Sequence, residues 1–320
     1  MADSPSTTLG GRTLRVARTL FQRFSRSAQQ KQIDHLTRLV ERVLANQKQD
    51  EKWRMIFRRQ MNAVIRNFYI AGSDIPGPQG LSGRRFRLRS QNEEDGIILA
   101  LLQGAGVTRR RFVEIGCGLS GGNSAVLAFE FGWSGLMVDA RRKAIAGLRV
   151  ALQANPGAIC VRATVTPDTI NDLLERHGMV GDLDLLSIDI DSVDYWLLEA
   201  LTVCSPRVIV MEYNALFGPD IAVTVPNAPT PGDAPKGYSG ASIAALEQLA
   251  RRKGYRLVLC EEAGVNAFFL RDDVAPEVPS LTSAQAYRPW LDKRDARDAR
   301  RRDIDIYQLV EDRGLPLVHV

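Results

Sequence analysis

The chain has 320 residues, 45% of them hydrophobic, and a formal net charge of +5, enough for one substantial core with appendages and too little for a long array of domains. The charge is uneven: residues 1–90 hold 18 Lys and Arg against 6 Asp and Glu, or +12, which leaves 24 against 31, or −7, for the remainder. No apolar run reaches the roughly 18 to 20 residues of a bilayer span, the start lacks the apolar core of a secretory signal, and cysteines 117, 160, 204 and 260 form no Cys-x-x-Cys pair, which argues against structural zinc and for buried thiols in a cytoplasmic, reducing setting.

Taken in chain order, residues 1–30 are basic and free of acids after Asp3, with Leu14, Val16, Leu20, Phe21 and Phe24 able to form a short apolar face. Such a segment either lies against an anionic surface, such as the inner face of a membrane, or stays disordered. Residues 31–70 read as a helical extension in which Ile33, Leu36, Val40 and Val43 have coiled-coil spacing, suited to a homodimer or to packing back on the core. The turn-rich run 72–83 then marks a boundary, so that the core domain is expected over 84–272 and a charged tail over 273–320.

Ser90-Gln-Asn-Glu93 matches a capping box opening a helix through Ile97, Ile98 and Leu101. Strands near 111–115, 135–139, 158–163, 183–189 and 207–212 alternate with helices near 122–131, 141–153, 168–177 and through Leu197 and Leu201. Apolar runs of strand length between helices predict an α/β fold with a parallel sheet covered on both faces. The Pro- and Gly-rich stretch from Ala215 to Gly240 is long enough to be a functional lid or a disordered loop. A helix through Leu246 and Leu249 then ends at Gly254, and strands 255–260 and 266–270 around the turn at 261–264 suit an antiparallel hairpin at one sheet edge.

The segment Phe112-Val-Glu-Ile-Gly-Cys-Gly-Leu-Ser-Gly-Gly-Asn123 carries the most chemistry. An apolar strand ends in an acid and breaks into a glycine turn, and the next strand, Gly135 to Asp139, ends in a second acid placed to hold two ribose hydroxyls. Gly116-x-Gly118-x-x-Gly121 also fits the dinucleotide fingerprint, with Asp139 lying 18 positions past the last glycine. Glu114, two residues before the first glycine, is expected to repel a pyrophosphate and attract a sulfonium, which favours S-adenosylmethionine.

From Ser90 to Arg271 the chain resembles the FkbM-type family of S-adenosylmethionine-dependent methyltransferases. The resemblance rests on Ser90-Gln-Asn-Glu-Glu-Asp-Gly-Ile-Ile98, Phe112 to Gly118, Ser187-Ile-Asp-Ile-Asp-Ser-Val-Asp-Tyr-Trp196, Val210-Met-Glu-Tyr-Asn214 and Tyr238-Ser-Gly-Ala-Ser242 in that order. It implies a Rossmann-like, seven-stranded, mostly parallel sheet with an antiparallel edge strand, and O-methylation of a sugar, glycan or natural-product hydroxyl. The expected cofactor contacts are Gln91, Glu114, Gly116, Gly118, Asn123, Asp139, Ala140, Thr164 and Asp189. Where the family usually has Asp-Val-Glu-Gly, this chain has Asp189-Ile-Asp191-Ser192, a shorter acid and a lost turn glycine.

Methyl transfer from a sulfonium is an in-line displacement, so the protein must align the acceptor and dispose of its proton. His35, His177 and His319 all lie away from the predicted strand ends and read as structural. Asp189, Asp191 and Glu212 follow the fourth and fifth strands and are the catalytic candidates; the same three carboxylates suit Mg²⁺, while the plainer reading has Asp189 touching a ligand and the other acids, with Asp194, capping helix amides. Tyr195, Trp196, Asn214, Lys236 and Tyr238 are candidate acceptor contacts, and Arg141, Arg142 and Lys143 either steer an anionic acceptor or are a solvated helix start.

Competing classes are separable. A short-chain dehydrogenase or epimerase needs Tyr-x-x-x-Lys, and no tyrosine here has lysine four residues on. A base-directed nucleic-acid methyltransferase would carry Asp/Asn-Pro-Pro-Tyr/Phe after the fourth strand, and the basic charge lies outside the core, so nucleic acid is not expected. A non-catalytic cofactor-binding module anchored by its basic helix is the remaining alternative.

Overall fold

A computed structural model describes residues 85–229, 231, 234–235, 237–290 and 305–320. The basic arm, the helical extension, His35, Lys236 and the run Lys293 to Arg302 lie outside these residues. In chain order the elements are α1 (Glu94–Ala105), β1 (Arg111–Ile115), α2 (Ala125–Glu130), β2 (Ser134–Asp139), α3 (Arg142–Ala151), β3 (Ala158–Arg162), α4 (Ile170–Arg176), β4 (Gly181–Ile188), α5 (Asp194–Ala200), β5 (Cys204–Glu212), β6 (Val223–Thr224), α6 (Ile243–Arg252), β7 (Tyr255–Cys260), β8 (Asn266–Arg271), α7 (Ser283–Ala286), α8 (Ile306–Asp312) and β9 (Val318–His319). No described helix is long and apolar enough to cross a membrane.

The main sheet has seven strands in the order β3-β2-β1-β4-β5-β8-β7. Strands β1 to β5 pair in parallel. The hairpin of β7 and β8 forms one edge, and β8 is the reversed strand, antiparallel to both β5 and β7. The central strands are continuous apolar runs because helices cover both faces: Phe112, Val113, Leu136, Val138, Leu185 and Leu186 are fully buried, each side chain contributing about 1.5–3 kcal/mol by leaving water. Chain order reverses between β1 and β4, and such a switch point opens a crevice at the carboxyl ends of the strands.

Two local expectations change. The N-terminus of α1 is not closed by a Ser90–Glu93 box, since Glu93 makes no side-chain cap. Asp95 takes that place: its carboxylate accepts from the amides of Leu88, Arg89 and Ser90 at 2.6, 2.6 and 2.9 Å, and the Ser90 hydroxyl accepts from the Asp95 amide at 3.2 Å. The second change is in the tail, where residues 305–320 fold onto the long loop. Strand β9 pairs with β6, and Ile306 and Val310 of α8 pack with Phe217, Val223, Val225 and Tyr238. Hydroxyls of Tyr307 and Tyr238 donate to the carbonyls of Phe217 and Pro316 at 2.7 and 2.6 Å.

Candidate functional site

The glycine turn is shaped by two acids. Glu114 points beneath it, fully buried, and accepts from the amides of Asn123 and Ser124 at 3.2 and 2.8 Å and from the Ser187 hydroxyl at 3.0 Å. Burial pushes its carboxyl up to about 7, against the pull of those donors. Glu114 therefore does not face the crevice, and the expected direct attraction of a sulfonium by this side chain is corrected. Its effect is indirect. The amides of Asn123 and Ser124 are engaged by Glu114, that of Gly118 by Asp139 at 2.9 Å, and those of Gly116, Cys117 and Gly121 by carbonyls of Val138 and Cys117. An anion cradle needs open amides, and this turn presents six that are already bonded.

Gly116 also has a different reason from the one expected. At φ +93° a Cβ there would stand 1.6 Å from the Asp189 carbonyl oxygen, so the glycine is required by the approach of β1 to β4 rather than by a ligand. Asn123 is 4% exposed, and its amide group donates to Ser187 at 3.2 Å; it belongs to a buried network and not to a ligand surface.

Above the turn, across the ends of β1 to β4, lies a cleft of about 710 Å³ lined by Gly116, Asp139, Ala140, Thr164, Asp168, Asp189 and Asp191 among others. Asn227, Ala228 and Pro229 of the long loop wall its far side. Four carboxylates line it, and Arg141 is its one basic residue among those described. Asp139 accepts from the amides of Gly118 and Arg141 and from the Arg141 guanidinium, and these bonds to Arg141 hold its carboxyl below the usual range. Arg141 is thus a partner of Asp139 and not a free steering charge.

A second cavity of about 240 Å³ sits over the end of β5, lined by Asp191, Glu212, Tyr213, Asn214, Leu216, Ser239 and Trp290 among others. Between the two cavities, carboxylate oxygens of Asp189, Asp191 and Glu212 lie within 4.8 Å of one another. Asp191 lines both cavities and adopts φ +57°, a left-handed conformation uncommon for a residue other than glycine. Burial, then repulsion from Asp194 and Asp191, pushes Asp189 up to about 8; burial, then Asp189 and Asp191, holds Glu212 well above the ordinary range. A cluster so arranged needs a proton or a cation to neutralise it. Asp194 does cap amides, accepting from Ile190 and Ser192 at 2.8 and 3.0 Å.

The structure brings together Gly116, Asp139, Ala140, Thr164, Asp189, Asp191, Glu212 and Asn214. Gly118 contributes its amide to Asp139. Gln91 is exposed and lines neither cavity. Tyr195 is a core residue, 1% exposed, its hydroxyl accepting from Arg252 at 2.8 Å. Trp196 donates from its indole to the Val225 carbonyl at 2.8 Å and so secures the long loop. Tyr238 is likewise buried under the C-terminal segment, and neither ring reaches either cavity. Asn214 lines the second cavity, but its side chain is occupied by Gly237, Ser239 and Leu216. Of the histidines, His177 caps the end of α4 and His319 lies on β9, both away from the strand ends. Sequence reasoning missed Trp290, which follows an Arg-Pro step beyond the last strand of the sheet and gives no periodic signal.

No family model and no curated relative matches the chain. Among solved structures, the N-terminal domain of EvdMO1 with SAH bound is 14% identical, over 60% of this chain and 92% of that one, with a TM-score of 0.37. The METTL16 MTase domain gives 14% identity over 66% and 77%, at 0.38, and TehB from Haemophilus influenzae gives 10% over 56% and 68%, at 0.35. Likeness at this level carries no argument about activity, which rests instead on the geometry of the two cavities.

Proposed function

We propose that the chain is an S-adenosylmethionine-dependent methyltransferase that O-methylates a hydroxyl of a sugar, glycan or natural product. The observation that carries this reading is the pair of cavities meeting at Asp189, Asp191 and Glu212, together with a glycine turn in which the amides of Gly116, Cys117, Gly118, Gly121, Asn123 and Ser124 are engaged. The larger cleft fits an adenosine-bearing ligand that is cationic and lacks phosphate: its lining is acidic, and Asp139 stands at the end of β2 where a ribose is held. Bound S-adenosylmethionine supplies an electrophilic methyl group on a sulfonium.

The chain's own residues do the rest. Asp139 orients the ribose, and the carboxylates of Asp189 and Asp191 face the cationic end of the ligand. The second cavity holds the acceptor, with Trp290 and Leu216 offering apolar surface and Asp191 and Glu212 within reach of its hydroxyl. One of these carboxylates takes the proton the hydroxyl loses. With no basic residue among its described lining, this cavity suits a neutral polyol better than a phosphorylated or nucleic-acid acceptor. The three clustered oxygens favour a second reading of the same step, in which they hold Mg²⁺ or another hard cation that lowers the hydroxyl pKa.

Turnover measured with and without excess chelator separates the two: unchanged turnover assigns the proton to the carboxylates alone, and loss of turnover with cofactor affinity intact assigns a cation. Asp139→Ala is expected to weaken S-adenosylmethionine binding by roughly tenfold or more, the loss of charge-assisted hydrogen bonds, followed by tryptophan fluorescence. Asp189→Ala is expected to lower turnover more than affinity. An Asp139→Ala protein with undiminished affinity would overturn the ribose placement.

A further inference from the structure

Both oxygens of Asp139 are doubly occupied. Oδ1 accepts from the Arg141 amide at 2.7 Å and from Arg141 Nε at 3.0 Å. Oδ2 accepts from the Gly118 amide at 2.9 Å and from Arg141 Nη2 at 2.8 Å. A carboxylate has about four acceptor sites, so no place is left for a ligand hydroxyl. Two of the four bonds come from backbone that is fixed by the turn and by the start of α3. The other two come from one guanidinium whose side chain is 67% exposed while Asp139 is 4% exposed, so only the arginine has room to leave. Its departure opens one acceptor site on each oxygen, side by side on one carboxylate. That pair of sites is what a vicinal diol requires, each hydroxyl donating one hydrogen bond.

From this arrangement we infer that the Arg141 guanidinium is a built-in competitor for the ribose diol: its Nε and Nη2 donors stand in for the two hydroxyls, and a diol enters only by displacing both. The inference rests on the proposed use of Asp139 as the ribose carboxylate, but not on which adenosine ligand the cleft takes. Displacement is feasible because the guanidinium is largely exposed and regains water as it leaves. A ligand with one hydroxyl displaces only one of the two donors, so it meets less of this competition than a diol does. Arg141 thereby lowers affinity, most of all for a diol, without entering the methyl transfer.

Binding of S-adenosylhomocysteine, adenosine and 2′-deoxyadenosine to the wild-type chain and to Arg141→Ala, by calorimetry at low salt, tests this. With the competitor gone, the two ribose ligands are expected to bind roughly fivefold tighter or more, the upper end for a surface ion pair because Asp139 is buried, whereas the deoxy ligand gains less, so that selectivity for the diol rises in the variant. Equal or weaker ribose binding in Arg141→Ala, or an equal gain for the deoxy ligand, overturns the proposal. Because Arg141 is exposed at the start of α3, the variant is expected to fold, and an unchanged thermal midpoint verifies that. If the wild type takes NAD and ignores S-adenosylhomocysteine, the methyltransferase reading falls, and the same comparison made with NAD still decides the role of Arg141.

Discussion

At the scale of single residues, Glu114 acts differently from what the sequence suggests. The acid before the glycine turn engages the Asn123 and Ser124 amides from below and does not face the crevice. Its pKa gives a test. A carboxyl raised from 4.5 to about 7 keeps its proton in the fold after the unfolded chain has lost it. Its stabilising contribution is therefore complete below 4.5 and is lost as pH rises through 7, roughly 3 kcal/mol in all. Urea unfolding at about pH 5 and about pH 8 should show wild type losing stability across that window, and Glu114→Gln losing roughly 2 to 3 kcal/mol less; identical losses in the two proteins would contradict this account. Residues at strand ends, Asp139, Asp189, Asp191 and Glu212, were legible because topology alone places them at the crevice. Tyr195, Trp196 and Tyr238 were not, because an aromatic beside a site reads the same whether it faces ligand or core.

At the scale of elements, alternation of apolar runs with helices located every strand of the main sheet, with boundaries shifted by up to three residues, as at β5, which starts at Cys204 and not at 207, since ends are set by local caps and not by periodicity. The structure adds a reason for the glycines that the pattern could not supply. Gly116 is fixed by the Asp189 backbone of the neighbouring strand, and Gly122 by Glu114, whose Oε1 would lie 2.1 Å from an added Cβ. Gly116→Ala is accordingly expected to cost more than about 4 kcal/mol or to abolish soluble folding. Gly147, exposed in α3 with nothing within 4 Å of an added Cβ, is the contrasting case, and Gly147→Ala should raise stability by about 0.5–1 kcal/mol. Thermal unfolding of the pair checks both; a tolerated Gly116→Ala would mean that β1 and β4 do not approach as described. Strands β6 and β9 are two residues each, too short for any pattern, and α8 becomes recognisable only through the loop cluster it covers.

At the scale of the molecule, the arrangement is a cleft and a smaller cavity that share an acidic wall, with one long loop bounding both. Residues 227–229 line the cleft and residues 237, 239 and 240 line the cavity. The C-terminal residues 305–320 clasp this loop through β9, Tyr238 and Tyr307, so the walls of the smaller cavity depend on a part of the chain outside the stretch that the family resemblance covers. That division explains what was readable: the larger cleft, at the strand ends, follows the rule for open α/β sheets, whereas the smaller cavity is walled by loop and tail contacts. The claim on which the whole account depends is that a cleft lined by Asp139, Asp168, Asp189 and Asp191, over a turn with six engaged amides, takes a phosphate-free methyl donor. Parallel calorimetric titration of one preparation with S-adenosylmethionine, S-adenosylhomocysteine and NAD measures it most directly: the account predicts binding of the first two with no heat from NAD, and tight NAD binding with silence from the other two would contradict it.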